Sequence, residues 1–489
     1  MKHDYDLIIL GSGPAGFACA MQASKFGKKT LVVEAHPKYL GGTWINTGTV
    51  PSKALRAKAH TIFEFISQFG HIDTDEGKPY ERFRMRDLLQ FKDQTLEHEN
   101  RTVKEALIKN EVDTARGRGR LVDPHSVEVD SLMGRTQTYT ADFIFVATGS
   151  HPSSPKDITI DHEHILDSQS ILDITHIPRR LVVVGDDVNA LEYATMFAAL
   201  GTKVRILLSG EHLLPYLDAD VQTELQRILQ KRRISLHPRT EIHNIQYNPL
   251  RTCTEVRFTE SNNSSANNEE LRVLETEHVL YFGGRTPNST DLGLESVNVT
   301  TDDRGFIQVN KQYQTSVDSI YAAGDVIGFP MLTSASLSQG RLAACDMFGI
   351  PALDVPDEAP IGIYSIPEVA YIGLTEQEAK EQGLDYTVGC AYFKDLTNAQ
   401  IRDTEEGLIK LIFHTETFKL LGIHIIGDQA TELIHTGQAV MSLNGDVRYF
   451  IQHVLNYPSY TDAYRTAAFN GVNRVFKAGV KYHDILNET

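Results

Sequence analysis

Residues 5 to 34 constrain the fold more than any other stretch. YDLIIL reads as a buried strand, GSGPAG as a turn, FACAMQASKFG as a helix and KKTLVVE as a second strand. Within that frame Gly11, Gly13 and Gly16 stand at the spacing G-x-G-x-x-G. The first gives a tight turn, the second lets backbone approach a pyrophosphate, and the third lets helix and strand pack closely. Glu34 ends the second strand, where a carboxylate can hydrogen-bond an adenosine ribose. Strand, turn, helix and terminal acid in register predict a dinucleotide-binding βαβ unit. A glycine-rich turn without a ligand is the alternative, and the register speaks against it.

A second unit of the same kind starts at Arg180: RLVVVG, then DDVNALEYATMFAALG, then TKVRILL. Its apolar strands and helix are in place, but its fingerprint is not. Gly185 is present, whereas the second glycine position is Asp187, the third is Ala190, and the second strand ends in Leu208. A carboxylate ~4 Å from a pyrophosphate charge, at an effective dielectric of ~20, costs about 4 kcal/mol, or roughly three decades in affinity. Asp187 is therefore expected to weaken nucleotide binding, with Ala190 crowding the helix against the strand. At 489 residues the chain is too long for one core, and several domains are expected.

The segment GGTWINTGTVPSKALR, residues 41 to 56, follows the first unit. Two glycines open a bend, and Pro51 and Ser52 read as the start of a helix with Ser52 helping to cap it. This segment resembles the redox segment of the flavoprotein disulfide reductases, which reads GGTCxNxGCxPSK. Trp44 and Thr49 stand where that family has its two redox cysteines, so disulfide chemistry is excluded here. The resemblance continues through nearly the whole chain. Thr148-Gly149 is similar to the ATG motif closing the FAD lobe, GGRTPNS at 283–289 to the crossover back into it, and Gly324-Asp325 to the second flavin-contacting motif. Both cysteines are lost here; the soluble pyridine nucleotide transhydrogenase branch shows a similar loss, keeping a single cysteine, and its segment continues in PSKALR as this one does.

The resemblance implies a site. Lys53 and Glu192 match the lysine–glutamate pair beside the flavin. Gly11, Gly13, Gly16, Glu34, Gly42, Thr43, Lys53, Thr148, Gly149, Gly185, Arg285, Gly324 and Asp325 match cofactor-binding positions. Asn456-Tyr457-Pro458 through Asp462 stands where disulfide-reducing members carry His-Pro-x-x-x-Glu. Tyr457 replaces the histidine, and a phenol of pKa ~10 is a poor base at neutral pH. Tyr457 and Asp462 are thus either catalytic, contributed by a partner subunit, or packing residues at a dimer interface. Gly210 and His212 occupy places where the transhydrogenase branch has arginines, so nothing selects between NADH and NADPH.

The fold expected is α/β: two Rossmann-like dinucleotide-binding domains and an α+β C-terminal dimerisation domain. Residues 1–150 and 285–349 are assigned to FAD binding, 151–284 to a nicotinamide-type lobe and 350–489 to dimerisation. The function implied is FAD-dependent exchange of hydride between NADPH and NAD+, with weak nucleotide binding. Passage of electrons to a quinone or dye, and a non-catalytic FAD-binding protein with a decayed nicotinamide site, remain as alternatives. A formal charge of −17 argues against nucleic-acid partners. No apolar run approaches the ~20 residues that cross a bilayer, and the acid-bearing start MKHDYDLIIL is unlike a signal peptide, so a cytoplasmic location is expected; the resemblance of residues 350–489 to the family's interface domain implies a homodimer. Four scattered cysteines and the single close histidine pair, His162 and His164, show no metal-ligand spacing. SNNSSANNEE, residues 261–270, reads as a mobile polar loop.

Overall fold

A computed structural model describes residues 3–69, 83–131, 133–153, 155, 157–261, 271–352 and 359–477. The first sheet has five parallel strands in spatial order 113–123, 30–34, 5–10, 136–146, 320–322. Strand Ser126–Ser131 bridges antiparallel between the outer ends of 113–123 and 136–146. Ile8, paired with Leu31 on one side and Ile144 on the other, is fully buried, as a strand covered on both faces must be. Strand order reverses at 5–10, and a ligand crevice belongs at the carboxyl ends on either side of such a reversal.

Helix α1 (Pro14–Lys25) leads back from that strand, with proline at its N-terminus, where a missing N–H costs nothing. Residues 41–56 then form two helices, α2 (Gly42–Asn46) and α3 (Thr49–Phe69). The expected start at Pro51 is two residues late. Ser52 does not cap: it already lies inside the first turn, and its hydroxyl donates back to the Thr49 carbonyl at 3.1 Å. The charged stretch after it forms α4 (Met85–Lys109).

The second lobe repeats the design with parallel strands in order 235–237, 203–207, 180–184, 278–281, 165–166. Its helices are α5 (Val188–Ala199) and α6 (Ala219–Lys231). The stretch 251–282 is divided between two sheets. Residues 272–276 pair antiparallel with 253–260, but 278–281 join the parallel sheet beside 180–184. Residues 150–152 form a short strand paired antiparallel with 285–287. Of the loop at 261–270, all but Ser261 lies outside the described residues. Helix α7 (Thr333–Met347) returns to pack on α1.

The last unit is an antiparallel sheet in order 361–363, 368–373, 420–427, 408–414, 386–392. Its inner face shares a continuous apolar core with the second lobe and α3: Leu55, Ala59 and Ile62 meet Leu191, Ile366, Val369 and Ile426.

Lys410 adds a polar lock across the same boundary. It is 1% exposed, and its Nζ donates to Asp218 at 2.9 Å, Asp220 at 2.7 Å and Glu376 at 2.5 Å. Asp218, also buried, caps α6. Lys410→Met is expected to destabilise the protein by about 3–5 kcal/mol, because it strands a buried carboxylate. Burial pushes the Asp218 carboxyl up, but the hydrogen bond and charge of Lys410 outweigh it and leave the group below its usual range. Its stabilisation is therefore present above the unfolded pKa and lost as pH falls through the lower folded one. Thermal melts should show the variant losing less stability than the native protein on acidification; parallel losses would contradict the lock.

Candidate functional site

The first fingerprint is shaped as a cradle. Gly11 has φ +103°, and a Cβ there would lie 2.3 Å from the Ala147 carbonyl oxygen. A Cβ on Gly16 would lie 2.0 Å from the Gly11 carbonyl oxygen. Gly13 differs: no protein atom lies within 4 Å of the place its Cβ would take. The glycines on either side serve the chain's own packing, and the space over Gly13 is left for a ligand, as a pyrophosphate on a helix N-terminus requires. Glu34 is 7% exposed. One of its oxygens accepts from the Ser12 N–H at 3.1 Å and from the Ser12 hydroxyl, the other from the His36 N–H at 2.8 Å. The Ser12 hydroxyl in turn accepts from the Gly41 N–H at 2.8 Å, tying the acid to the redox-type segment. The residues present therefore fit FAD.

That segment is braced from below. Asn46 donates to the carbonyls of Leu40 and Gly42, both at 2.9 Å, and accepts from Asn100 on α4 at 2.8 Å. Gly42 lies on Gly13: a Cβ on Gly42 would be 2.9 Å from the Gly13 Cα. The Thr43 backbone carbonyl accepts from Thr47 N–H at 3.1 Å. Thr49, the first residue of α3, meets Thr333, the first of α7, hydroxyl to hydroxyl at 3.0 Å. Two helix N-termini thus converge where a cysteine pair was excluded.

Lys53 and Glu192 come together from distant parts of the chain. The ammonium donates to one Glu192 oxygen at 2.5 Å, and the other accepts from the Tyr364 N–H at 2.8 Å. Lys53 comes from α3, Glu192 from α5 and Tyr364 from the C-terminal unit, so one ion pair joins all three parts. Glu192 is buried and Lys53 is partly open, which leaves the ammonium able to face a ligand.

The opposite wall is built from Thr148 to Ser150 and two later segments. Thr148 and Asn288 exchange hydrogen bonds through side chains and carbonyls at 2.8 Å each. Gly149 and Gly324 have φ of +71° and +79°. Asp325 accepts from the Ser150 hydroxyl at 2.7 Å, and Arg285 donates to that same hydroxyl at 2.7 Å and to the Ser150 carbonyl at 2.9 Å. Arg285, expected to bind cofactor, here orients Ser150 and Asp325.

The second lobe is different in kind. Gly185 keeps the tight turn, φ +140°. Asp187 is the N-cap of α5: its carboxylate accepts from the Ala190 N–H at 2.9 Å and from the Asn189 side chain at 3.1 Å. It occupies the helix terminus itself, rather than turning outward. Burial raises the Asp187 carboxyl, and Asp186 and Glu192 add to this, against the two hydrogen bonds. The Ala190 methyl is fully buried, and the place a Cβ on Gly185 would take lies 3.7 Å from it. Leu208 is buried, His212 is exposed, and Gly210 lies near the Asp186 carboxylate, which accepts from Ser209 at 2.7 Å.

Tyr457 is 67% exposed and its hydroxyl meets Thr397 at 2.6 Å; Asp462 opens the last helix and pairs with Arg465 at 3.6 Å. Among the described residues, no hydrogen bond, ion pair or ring contact links either to Lys53 or Glu192. His162 and His164 point to different acids, Asp167 and Asp161. None of the four cysteines lies among these site residues: Cys19, Cys253 and Cys345 are buried and Cys390 is half-buried. Sequence reasoning missed Ser12, Ser150 and Thr333; for the first two a hydroxyl beside a glycine motif was a signal, and for Thr333 there was none.

Two family models cover most of the chain. Residues 5–340 match the pyridine nucleotide-disulphide oxidoreductase model and 359–468 its dimerisation domain. The chain belongs to the pyridine nucleotide-disulphide oxidoreductase family. It is an oxidoreductase, and membership implies FAD and NAD(P)H. The soluble pyridine nucleotide transhydrogenase of Mycobacterium tuberculosis is 38% identical over 478 residues, 96% of this chain and 98% of its own. That of Pseudomonas aeruginosa is 37% identical over 479 residues, 97% and 99% of the two chains. Among solved structures, LpdA from M. tuberculosis superposes with a TM-score of 0.85 at 24% identity, covering 95% of this chain and 98% of that one. The HOCl-induced flavoprotein disulfide reductase RclA from Escherichia coli gives 0.84 at 23%, covering 95% and 99%. Among the described residues, no helix is long and apolar enough to cross a membrane.

Proposed function

We propose that this oxidoreductase exchanges hydride between NADPH and NAD+ through FAD, one nucleotide leaving before the next arrives. The Lys53–Glu192 pair carries the reading, supported by the near-full-length likeness to transhydrogenases. Residues 1–150 with 285–349 hold FAD, 151–284 take the nicotinamide nucleotide, and 350–489 pair two copies into a homodimer. FAD supplies the hydride-accepting and hydride-donating ring. Gly11, Gly13, Gly16 and Glu34 hold its adenosine and pyrophosphate portions, while Thr148, Gly149, Gly324 and Asp325 line the remainder. With FAD bound, Lys53, fixed by Glu192 and Tyr364, would offer a positive charge to stabilise the reduced ring. Tyr457 and Asp462 of the partner subunit would complete the mouth of the site, the Tyr457 phenol in place of a histidine base. No thiol is available at positions 44 and 49, so electrons return by the route they entered.

Anaerobic mixing tests this. NADPH or NADH should bleach the visible flavin band, and added NAD+ should restore it with formation of NADH. Bleaching reversed by a quinone but not by NAD+ would favour the quinone or dye reductase. No bleaching by either nucleotide would favour the non-catalytic flavoprotein, which Asp187 already supports.

A further inference from the structure

The hydrogen bond that closes each glycine turn aligns the two dinucleotide lobes. The Gly11 N–H donates to the Val33 carbonyl at 2.8 Å, and the Gly185 N–H donates to the Leu207 carbonyl at 3.1 Å. Val33 is thus the counterpart of Leu207, Glu34 of Leu208 and Ser12 of Asp186. In the first lobe the turn supplies a hydroxyl and the strand end a carboxylate, and Ser12 donates to Glu34. In the second lobe the strand-end position is the buried, apolar Leu208. A pair of the same composition is present there with its members exchanged. The Ser209 hydroxyl, one residue past Leu208, donates to the Asp186 carboxylate at 2.7 Å. The carboxylate has moved from the strand end to the turn, yet it stays within one hydrogen bond of the strand end. It is also accessible: Asp186 is half-buried, and its other oxygen takes no hydrogen bond from the described residues. Gly210 leaves room beside it, since a Cβ there would meet only the Asp186 carboxylate at 3.8 Å and the His212 carbonyl at 4.0 Å. The charge of this corner is negative. Glu211 is exposed next to Gly210 and holds Arg239, whose backbone N–H donates to the Gly210 carbonyl at 2.9 Å. His212, also exposed, is the other basic group of residues 208–214.

We propose that Asp186 replaces the missing strand-end acid and makes the second lobe prefer NAD(H) to NADP(H). Its carboxylate accepts from the adenosine ribose hydroxyls of NAD(H), the role that an acid at the strand end plays in such lobes. The 2′-phosphate of NADP(H) would bring close to two negative charges against Asp186, with Arg239 already engaged by Glu211. The inference rests on reading residues 151–284 as the nicotinamide nucleotide lobe, and it names the nucleotide that lobe favours. In a hydride exchange, NAD(H) then saturates the lobe first and NADP(H) is the weaker partner.

ADP-ribose and 2′-phospho-ADP-ribose carry the two adenosine halves without nicotinamide, so their binding is read without hydride transfer. Titrated calorimetrically into the FAD-loaded protein, ADP-ribose should bind about tenfold or more tightly than its 2′-phosphate. Asp186→Asn should shrink that ratio to about threefold or less, by weakening ADP-ribose and strengthening the 2′-phosphate form. Asp187→Gly relieves both ligands at the pyrophosphate, so it should bring weak binding into range and leave the ratio as it was. Equal or tighter binding of the 2′-phosphate form in the Asp187→Gly protein, or a ratio untouched when Asp186→Asn is added to it, would overturn the assignment. Binding with the expected ratio by a protein whose flavin neither NADH nor NADPH bleaches would sink the hydride exchange and uphold the role of Asp186. Neither fragment binding, even to Asp187→Gly, would overturn both.

Discussion

Replacing Asp187 with glycine is expected to tighten NADPH or NADH binding by up to about three decades, the repulsion of a carboxylate ~4 Å from a pyrophosphate at an effective dielectric of ~20. The structure sharpens the reason. The carboxylate takes the Ala190 N–H at the head of α5, the kind of donor that cradles phosphate in a second dinucleotide lobe. It competes for the donor as well as repelling the ligand. Glycine at an N-cap costs only a few tenths of a kcal/mol relative to aspartate, so the variant should fold normally. Ala190→Gly leaves that carboxylate in place and should add little. Acidification gives an independent check. The folded Asp187 carboxyl is raised by burial, so it becomes neutral before an ordinary aspartate does as pH falls. Native nucleotide affinity should therefore rise towards acid pH, and the glycine variant should lose that slope. Flavin reduction rates at subsaturating NADPH across pH measure both. An unchanged affinity in Asp187→Gly would show that nucleotide binds elsewhere than on α5.

A second large effect is expected at Gly13. Its backbone, φ −62° and ψ −177°, suits any residue, and a Cβ there would meet nothing within 4 Å. Gly13→Leu should thus fold, melt like native apoprotein and purify colourless. With two or three phosphate hydrogen bonds of about 1–1.5 kcal/mol each blocked, FAD binding should weaken by about two decades or more. Gly11→Ala and Gly16→Ala would instead push a methyl into backbone at 2.3 and 2.0 Å, and should fail by destabilising the lobe itself. A yellow, fully loaded Gly13→Leu protein would remove the fingerprint from the cofactor site.

Local patterns were legible in the sequence, and long-range partners were not. The strand–glycine–helix register at 5–34 has a short-range physical cause, and Glu34 followed from it. Lys53 and Glu192 stand 139 positions apart; only resemblance linked them, and the structure brings them to 2.5 Å. Thr49 and Thr333, or Lys410 and Asp218, left no signal, since hydroxyl and charged residues are common and their partners are set by packing. The break at Glu277, which sends 272–276 and 278–281 into different sheets, is invisible because both sheets impose the same alternation of side chains. Asp187 was seen as a charge, but its direction depends on the competing pull of the Ala190 N–H, and sequence alone does not weigh these.

The disposition of the cysteines sets how this protein meets chemical attack. Burial raises the Cys19 thiol well above its usual range, with Cys345 beside it adding to the shift. Burial likewise raises Cys253, Cys345 and Cys390. Peroxides, alkylating agents and soft heavy metals react with thiolates, and these four side chains are held as thiols away from the reacting centre. At positions 44 and 49, where the disulfide reductases carry their redox cysteines, this chain has tryptophan and threonine. A redox disulfide exposes thiolates each time it is reduced, and thiol reagents trap them. This chain offers no such target at those positions, so alkylation should leave its hydride exchange running.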